Sequence, residues 1–310
     1  MERVKNAALG ILLALFAAAL VCFPAESAAA ARQGLSLCLQ TVLPSLFPFF
    51  VLSSLCVACG MGDALAHTLE PLMRPLFGLS GAGAAALALG LVGGYPVGAR
   101  TAAELYRTGR LYRDEAERLL GFCNNCGPGF ILGVCGSAVF CDMRAGLLLA
   151  LIHAAAAILT GFLLRRSKVK CLPPAHTSAA AQAKSLAAAF PSVVRDSFSA
   201  VWSVCGFVVL FAVLLQFVTL LLPARAASAA WYPALLGLVE LTNGVAALPS
   251  GRVGFTLCAA MLGWGGLSVH AQTLSVLEET DLSPRWYFLG KIMQAALSAP
   301  LALIGSRWLF

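Results

Sequence analysis

Long apolar runs separated by short charged connections set the pattern of this chain. The runs cover residues 7–23, 35–59, 81–99, 122–141, 145–164, 201–222, 231–248, 253–277 and 286–304. About 20 residues of helix cross a hydrocarbon core, so most of these runs are long enough to span one. The pattern predicts an all-α polytopic membrane protein of about 8–9 apolar segments, some of them broken or re-entrant.

Four runs are interrupted by residues that suit neither lipid nor a regular helix: GGYPVGAR at 93–100, FCNNCGPGFILG at 122–133, VELTNGV at 239–245 and GWGGLSVHAQ at 263–272. Glycine loosens a helix and proline removes a donor, so the freed peptide groups need partners. Two interruptions precede and two follow the tract 167–185, which holds Pro173 and Pro174, lacks large apolar side chains and reads as a linker. Short stretches recur in the same order on either side. PFFVL at 48 is matched by GFVVL at 206, GLVGGYPVG at 90 by GLVELTNGV at 237, and CGPG at 126 by WGGL at 264. The chain therefore divides into an N-terminal membrane helix (1–30), a first half (31–165), a cytoplasmic linker (166–190) and a second, weakly similar half (191–310). Paired interruptions in two halves are the sequence mark of a transporter's binding site.

Charge orients the segments. Arg100, Arg107, Arg110, Arg113 and Arg118 crowd one loop and RRSKVK follows Leu164, which places both on the cytoplasmic side. Three spans before Arg100 would then conflict with a cytoplasmic N-terminus. A re-entrant hairpin at Pro44 and Pro48 is the preferred remedy, and the first segment is read as a retained helix rather than a cleaved leader. LYRDEAERLL, with Asp114 and Arg118 four apart, reads as a solvated surface helix.

Composition agrees: 60% of residues are hydrophobic, 11% are charged, and mean hydropathy is +0.86. The net charge of +7 lies in short loops, the pattern of membrane orientation rather than nucleic-acid binding. Eleven cysteines include CxxC pairs at Cys56/Cys59 and Cys123/Cys126, but within apolar runs cysteine behaves as a small hydrophobe, and no metal or other cofactor is expected. No HExxH, GxGxxG, phosphate loop or GxSxG is present, so no enzyme is expected.

The candidate solute-binding groups are the polar residues at the interruptions. Asn124 and Asn125 offer adjacent amides; Thr242, Asn243, Ser268, His270 and Gln272 offer a second set. Glu240 is a carboxylate inside an apolar run and is read as serving cargo binding or proton coupling. Arg100 either neutralises an anion or marks the membrane boundary. His153 reads as a packed, hydrogen-bonded core residue.

LFPFF, GLVGGYPVGARTAAELYRTGRL, EAERLLGFCNNCGPGFILG and GGLSVHAQ occur in this order. From about residue 35 to its end, the chain so resembles the YlbJ-like sporulation integral membrane proteins, which are grouped with the nucleoside-recognition gate domains. The resemblance implies residence in the outer forespore membrane of an endospore-forming bacterium. It also implies the task of passing dipicolinic acid from the mother cell into the space around the forespore. Gly93, Gly94, Tyr95, Pro96, Gly98, Asn124, Asn125, Gly127, Pro128, Gly265, Gly266, His270 and Gln272 stand at the motif positions. The implied partners are dipicolinate and the bilayer, together with further copies of the chain or other sporulation membrane proteins. A scaffold that carries nothing and a nucleoside carrier are the competing expectations.

Overall fold

The computed structural model describes residues 2–58, 61–165, 186–223, 229 and 231–310. Among these the chain is helical, with no strand. The calls on the linker at 167–185 and on Cys59 lie outside the described residues.

The first half begins with α1 (Glu2–Cys22), which meets α2 (Pro24–Leu37) at a 99° bend at Phe23. A π-helical turn, Cys38–Val42, carries α2 into α3 (Leu43–Ala58). The expected hairpin at Pro44 and Pro48 is therefore absent. Instead the helix widens just before Pro44, where the Leu43 N–H bonds to Cys38 O, and it continues through Pro48. An extra residue in one turn relieves the crowding that a proline ring imposes on an α-helix.

The second sharp bend, 93°, lies between α4 (Met61–Phe77) and α5 (Ala82–Gly93). Charged side chains hold it. Glu70 Oε2 accepts the Gly81 N–H at 2.6 Å, and Glu115 Oε1 accepts the Ser80 N–H at 2.8 Å. Arg118 donates to Phe77 O at 3.3 Å and Gly78 O at 3.1 Å, neutralising the carbonyl end of α4. Glu115 and Arg118 belong to α7 (Arg113–Cys123), so the helix read as a solvated connector is a buried brace. Its Asp114–Arg118 pair does form, at 3.4 Å. Between α5 and α7 runs α6 (Val97–Arg107).

After α7 a π-helical segment, Gly129–Val139, leads to α8 (Met143–Leu163). The second half contains α9 (Leu186–Leu220), the short α10 (Tyr232–Val239) and α11 (Leu241–Ala246), then α12 (Arg252–Trp264), α13 (Gly266–Leu277) and α14 (Arg285–Gly305). By length and composition four helical stretches among the described residues can cross a membrane: α8, α9, α12 with α13, and α14 extended to Trp308. Counting each bent pair as one span raises the number to six. This is an all-α polytopic membrane protein.

Side chains sort as a lipid solvent demands. On α8, Leu147, Leu151, Ile158, Leu159 and Phe162 face outward, while Gly146, His153, Ala156, Ala157 and Thr160 face inward. Small residues inside let backbones approach where no hydrophobic force drives helices together. At the α7–α14 crossing a Cβ on Gly290 would collide with the Gly121 backbone.

Candidate functional site

All four sequence interruptions are helix breaks, and they converge. Gly94, with φ +79°, separates α5 from α6, and the Tyr95–Pro96 peptide bond is cis. Asn124 turns extended at the end of α7, ahead of the Gly129–Val139 segment. These two breaks touch: a Cβ on Gly94 would lie 2.8 Å from Gly127 N, so the position needs glycine for space as well as for φ. In the second half Glu240 is extended between α10 and α11, and Gly265, with φ +92°, separates α12 from α13. Tyr95 joins the halves by donating its hydroxyl to Leu262 O at 2.8 Å.

The polar groups fall into two zones. The first is a dry network. Asn124 Nδ2 donates to Thr273 Oγ1 at 2.9 Å, and Asn125 Nδ2 donates to Phe122 O at 2.8 Å. Gln294 Nε2 donates to Asn125 Oδ1 at 2.9 Å. Lys291 Nζ donates to Asn124 O at 2.9 Å and to Gln294 Oε1 at 2.7 Å. His153 Nε2 accepts the Cys126 N–H at 3.0 Å, so that ring carries its proton on Nδ1. Asn124, Asn125, Lys291 and Gln294 are all 0% exposed. Nearby, His270 Nδ1 pairs with the Tyr287 hydroxyl at 2.7 Å, and its ring meets Trp264 edge-on.

The second zone is hollow. A cavity of about 40 Å³ is lined by Tyr95, Gly127, Glu240, Thr242, Ser268 and Gln272 together with apolar side chains. At roughly 10–15 Å³ per ordered water it has room for only a few waters. Beside it lies a vestibule of about 370 Å³, lined by Pro96, Arg100, Glu104, Arg107, Ser203, Ser275 and Glu279 among others. Gln272 and Val204 line both spaces and form the partition between them. Glu240 accepts from Asn243 N at 2.7 Å and Asn243 Nδ2 at 2.9 Å, and Ser268 approaches its other oxygen at 3.5 Å. Gln272 Oε1 has no hydrogen-bond partner.

The candidate residues thus divide. Tyr95, Gly127, Glu240, Thr242, Ser268 and Gln272 wall the cavity; Pro96, Arg100 and again Gln272 wall the vestibule. Asn124 and Asn125 spend their amides on the dry network and line neither space. His270 is held by Tyr287, Asn243 serves Glu240, and Gly94 and Pro128 shape the backbone. Sequence reasoning missed Lys291, Gln294, Thr273 and Tyr287. The rule that singled out Glu240, a charge inside an apolar run, applies equally to Lys291 in WYFLGKIMQAAL. Among the described residues no three His, Cys, Asp or Glu side chains converge as metal ligands.

A clasp of exposed groups ties the halves beside the vestibule. Arg107 pairs with Glu279 at 2.8 Å, Arg113 with Asp281 at 3.3 Å, and the Tyr106 hydroxyl donates to Asp281 Oδ1 at 2.7 Å. That hydrogen bond, aided by the Arg113 charge, holds the Asp281 carboxyl below its ordinary range.

Bent spans, paired helix breaks and a hollow beside those breaks define a polytopic membrane protein. Residues 39–162 match the family model described as Gate, nucleoside recognition. The sporulation integral membrane protein YlbJ of Bacillus subtilis (strain 168) is 30% identical over 323 residues, covering 93% of this chain and 79% of that protein. The chain belongs to this family of sporulation integral membrane proteins. No solved structure matches it.

Proposed function

We propose that this protein moves a small carboxylate, dipicolinic acid before others, out of the mother-cell cytoplasm across the outer forespore membrane, without converting it chemically. One observation carries the reading: the vestibule at Arg100 and Arg107, which also holds Glu104 and Glu279, shares Gln272 and Val204 with the cavity at Glu240, so one line leads from a charged mouth to the helix breaks. The arginine-rich face is taken as cytoplasmic because short loops rich in arginine stay inside. A planar dianion entering there meets the Arg100 guanidinium first, then the amide of Gln272 and the hydroxyls of Thr242 and Ser268. Glu240 lies on the far wall, where a second carboxylate is repelled unless a proton accompanies it, which points to proton linkage.

The test is uptake of labelled dipicolinate into vesicles containing only the purified protein, with nucleosides as competitors. Uptake above empty vesicles, unaffected by nucleosides, is expected. Inhibition by nucleosides favours the cargo named in the matching family description. Uptake equal to empty vesicles by folded protein favours a second reading, a membrane scaffold for spore maturation. The dry network favours that reading, because Asn124 and Asn125 are fully occupied by structural partners.

A further inference from the structure

The path from vestibule to cavity lacks a cation where an anion needs one most. The vestibule mixes Arg100 and Arg107 with Glu104 and Glu279, and among the described residues Glu240 is the only charged lining of the inner cavity. A carboxylate leaving water for that interior loses hydration worth several kcal/mol, and a fixed positive charge must offset the loss.

Lys291 supplies such a charge once protonated, and it is held in reserve. Its Nζ bonds two neutral oxygens, Asn124 O and Gln294 Oε1, and among the described residues it forms no ion pair. The titratable groups that face it from the packed elements are Tyr95, Cys123, Cys126, His153 and His270, none of them a carboxylate. An ammonium has three donors, and only two meet oxygen here. Nζ lies 5.3 Å from the centre of the Tyr95 ring, and that ring is a wall of the cavity. Tyr95 sits directly after Gly94 at the α5–α6 break, with its hydroxyl tethered by one bond to Leu262 O. Displacing the ring exposes the ammonium to whatever fills the cavity.

Resting on the reading that the path carries a small carboxylate, we propose that Lys291 is the charge partner of that carboxylate and that the Tyr95 ring is the door between them. The cargo class that fits is a flat aromatic acid: its ring replaces Tyr95 against the cavity wall while its carboxylate takes the free donor of Lys291.

The experiment measures equilibrium binding to the purified full chain in lipid nanodiscs. The probes are pyridine-2,6-dicarboxylate and its uncharged diamide; the proteins are wild type, Lys291→Gln, Lys291→Arg and Tyr95→Phe. Loss of a charge-assisted contact should weaken dicarboxylate binding about 10- to 100-fold in Lys291→Gln. Diamide binding should be unchanged, and Lys291→Arg should restore the preference for the charged probe. Tyr95→Phe keeps the ring and loses the tether, so it should bind the dicarboxylate more tightly. It decides the matter if Lys291→Gln does not fold, and unchanged affinity for the dicarboxylate then overturns the proposal. Equal dicarboxylate binding by wild type and Lys291→Gln overturns this inference and leaves the transport reading standing. Wild type that binds no dicarboxylate overturns both.

Discussion

Replacing Gln294 by methionine isolates the value of the dry network, because the two side chains have similar volume and the core stays filled. Gln294 holds three partners at once: its Oε1 accepts from Lys291 at 2.7 Å, and its Nε2 donates to Asn125 Oδ1 at 2.9 Å and, more weakly, to His153 O at 3.4 Å. Methionine supplies none of these interactions. Asn125 Oδ1 is left buried without a donor, costing about 1–3 kcal/mol, and Lys291 loses one of two acceptors at about 1.5–3 kcal/mol. The sum is about 2.5–6 kcal/mol, enough to lower the thermal midpoint by at least about 5 °C. The assay is thermal unfolding of purified protein in detergent micelles, with Ser298→Ala as control. Ser298 lies one turn further along the same helix, 0% exposed, with no partner for its Oγ. Its removal should leave the midpoint unchanged or slightly higher. A Gln294→Met protein melting within a degree of wild type would refute the claim that the network binds α14 to the first-half break.

Other expectations follow from the same packing. Gly290→Ala should cost about 1–3 kcal/mol or more through collision with the Gly121 backbone, read as lost monodispersity or a lowered midpoint. Arg118→Met uncaps Phe77 O and Gly78 O and should cost about 2–4 kcal/mol, with faster proteolysis at residues 78–81 as its mark. Glu240→Gln keeps an acceptor for Asn243 N, so the fold should survive while uptake slows and its pH dependence flattens. The Asp281 carboxyl is depressed in the fold, so its contribution is present above the unfolded value of about 3.9 and is lost as pH falls through the lower folded value. Tyr106→Phe should move that release to higher pH, readable in the carboxyl carbon shift of Asp281.

The four helix breaks were legible because glycine, proline and asparagine sit together inside apolar runs, and such clusters have few other uses at membrane depth. Glu240 was legible for the same kind of reason: a charge inside an apolar run demands an explanation. What could not be read was which polar atoms face each other. Asn124 finds Thr273, and Asn125 finds Gln294, across 149 and 169 positions of chain. No local pattern distinguishes an amide that greets a solute from one sealed against another helix. Charge misled in α7, where Glu115 and Arg118 suggest solvent until the bend between α4 and α5 supplies bare peptide groups for them to cap. At Pro44 the cue for a break was real, but a π turn absorbed it without reversing the chain.

The most direct test asks whether the cavity beside Glu240 ever opens. A single cysteine placed at Ser268 in an otherwise cysteine-free protein, reconstituted in oriented vesicles, is offered a membrane-impermeant thiol reagent from each side. The account predicts modification from the Arg100 face, slowed by dipicolinate. A thiol that stays unmodified from both faces, with and without dipicolinate, in protein that still takes up the labelled solute would contradict it.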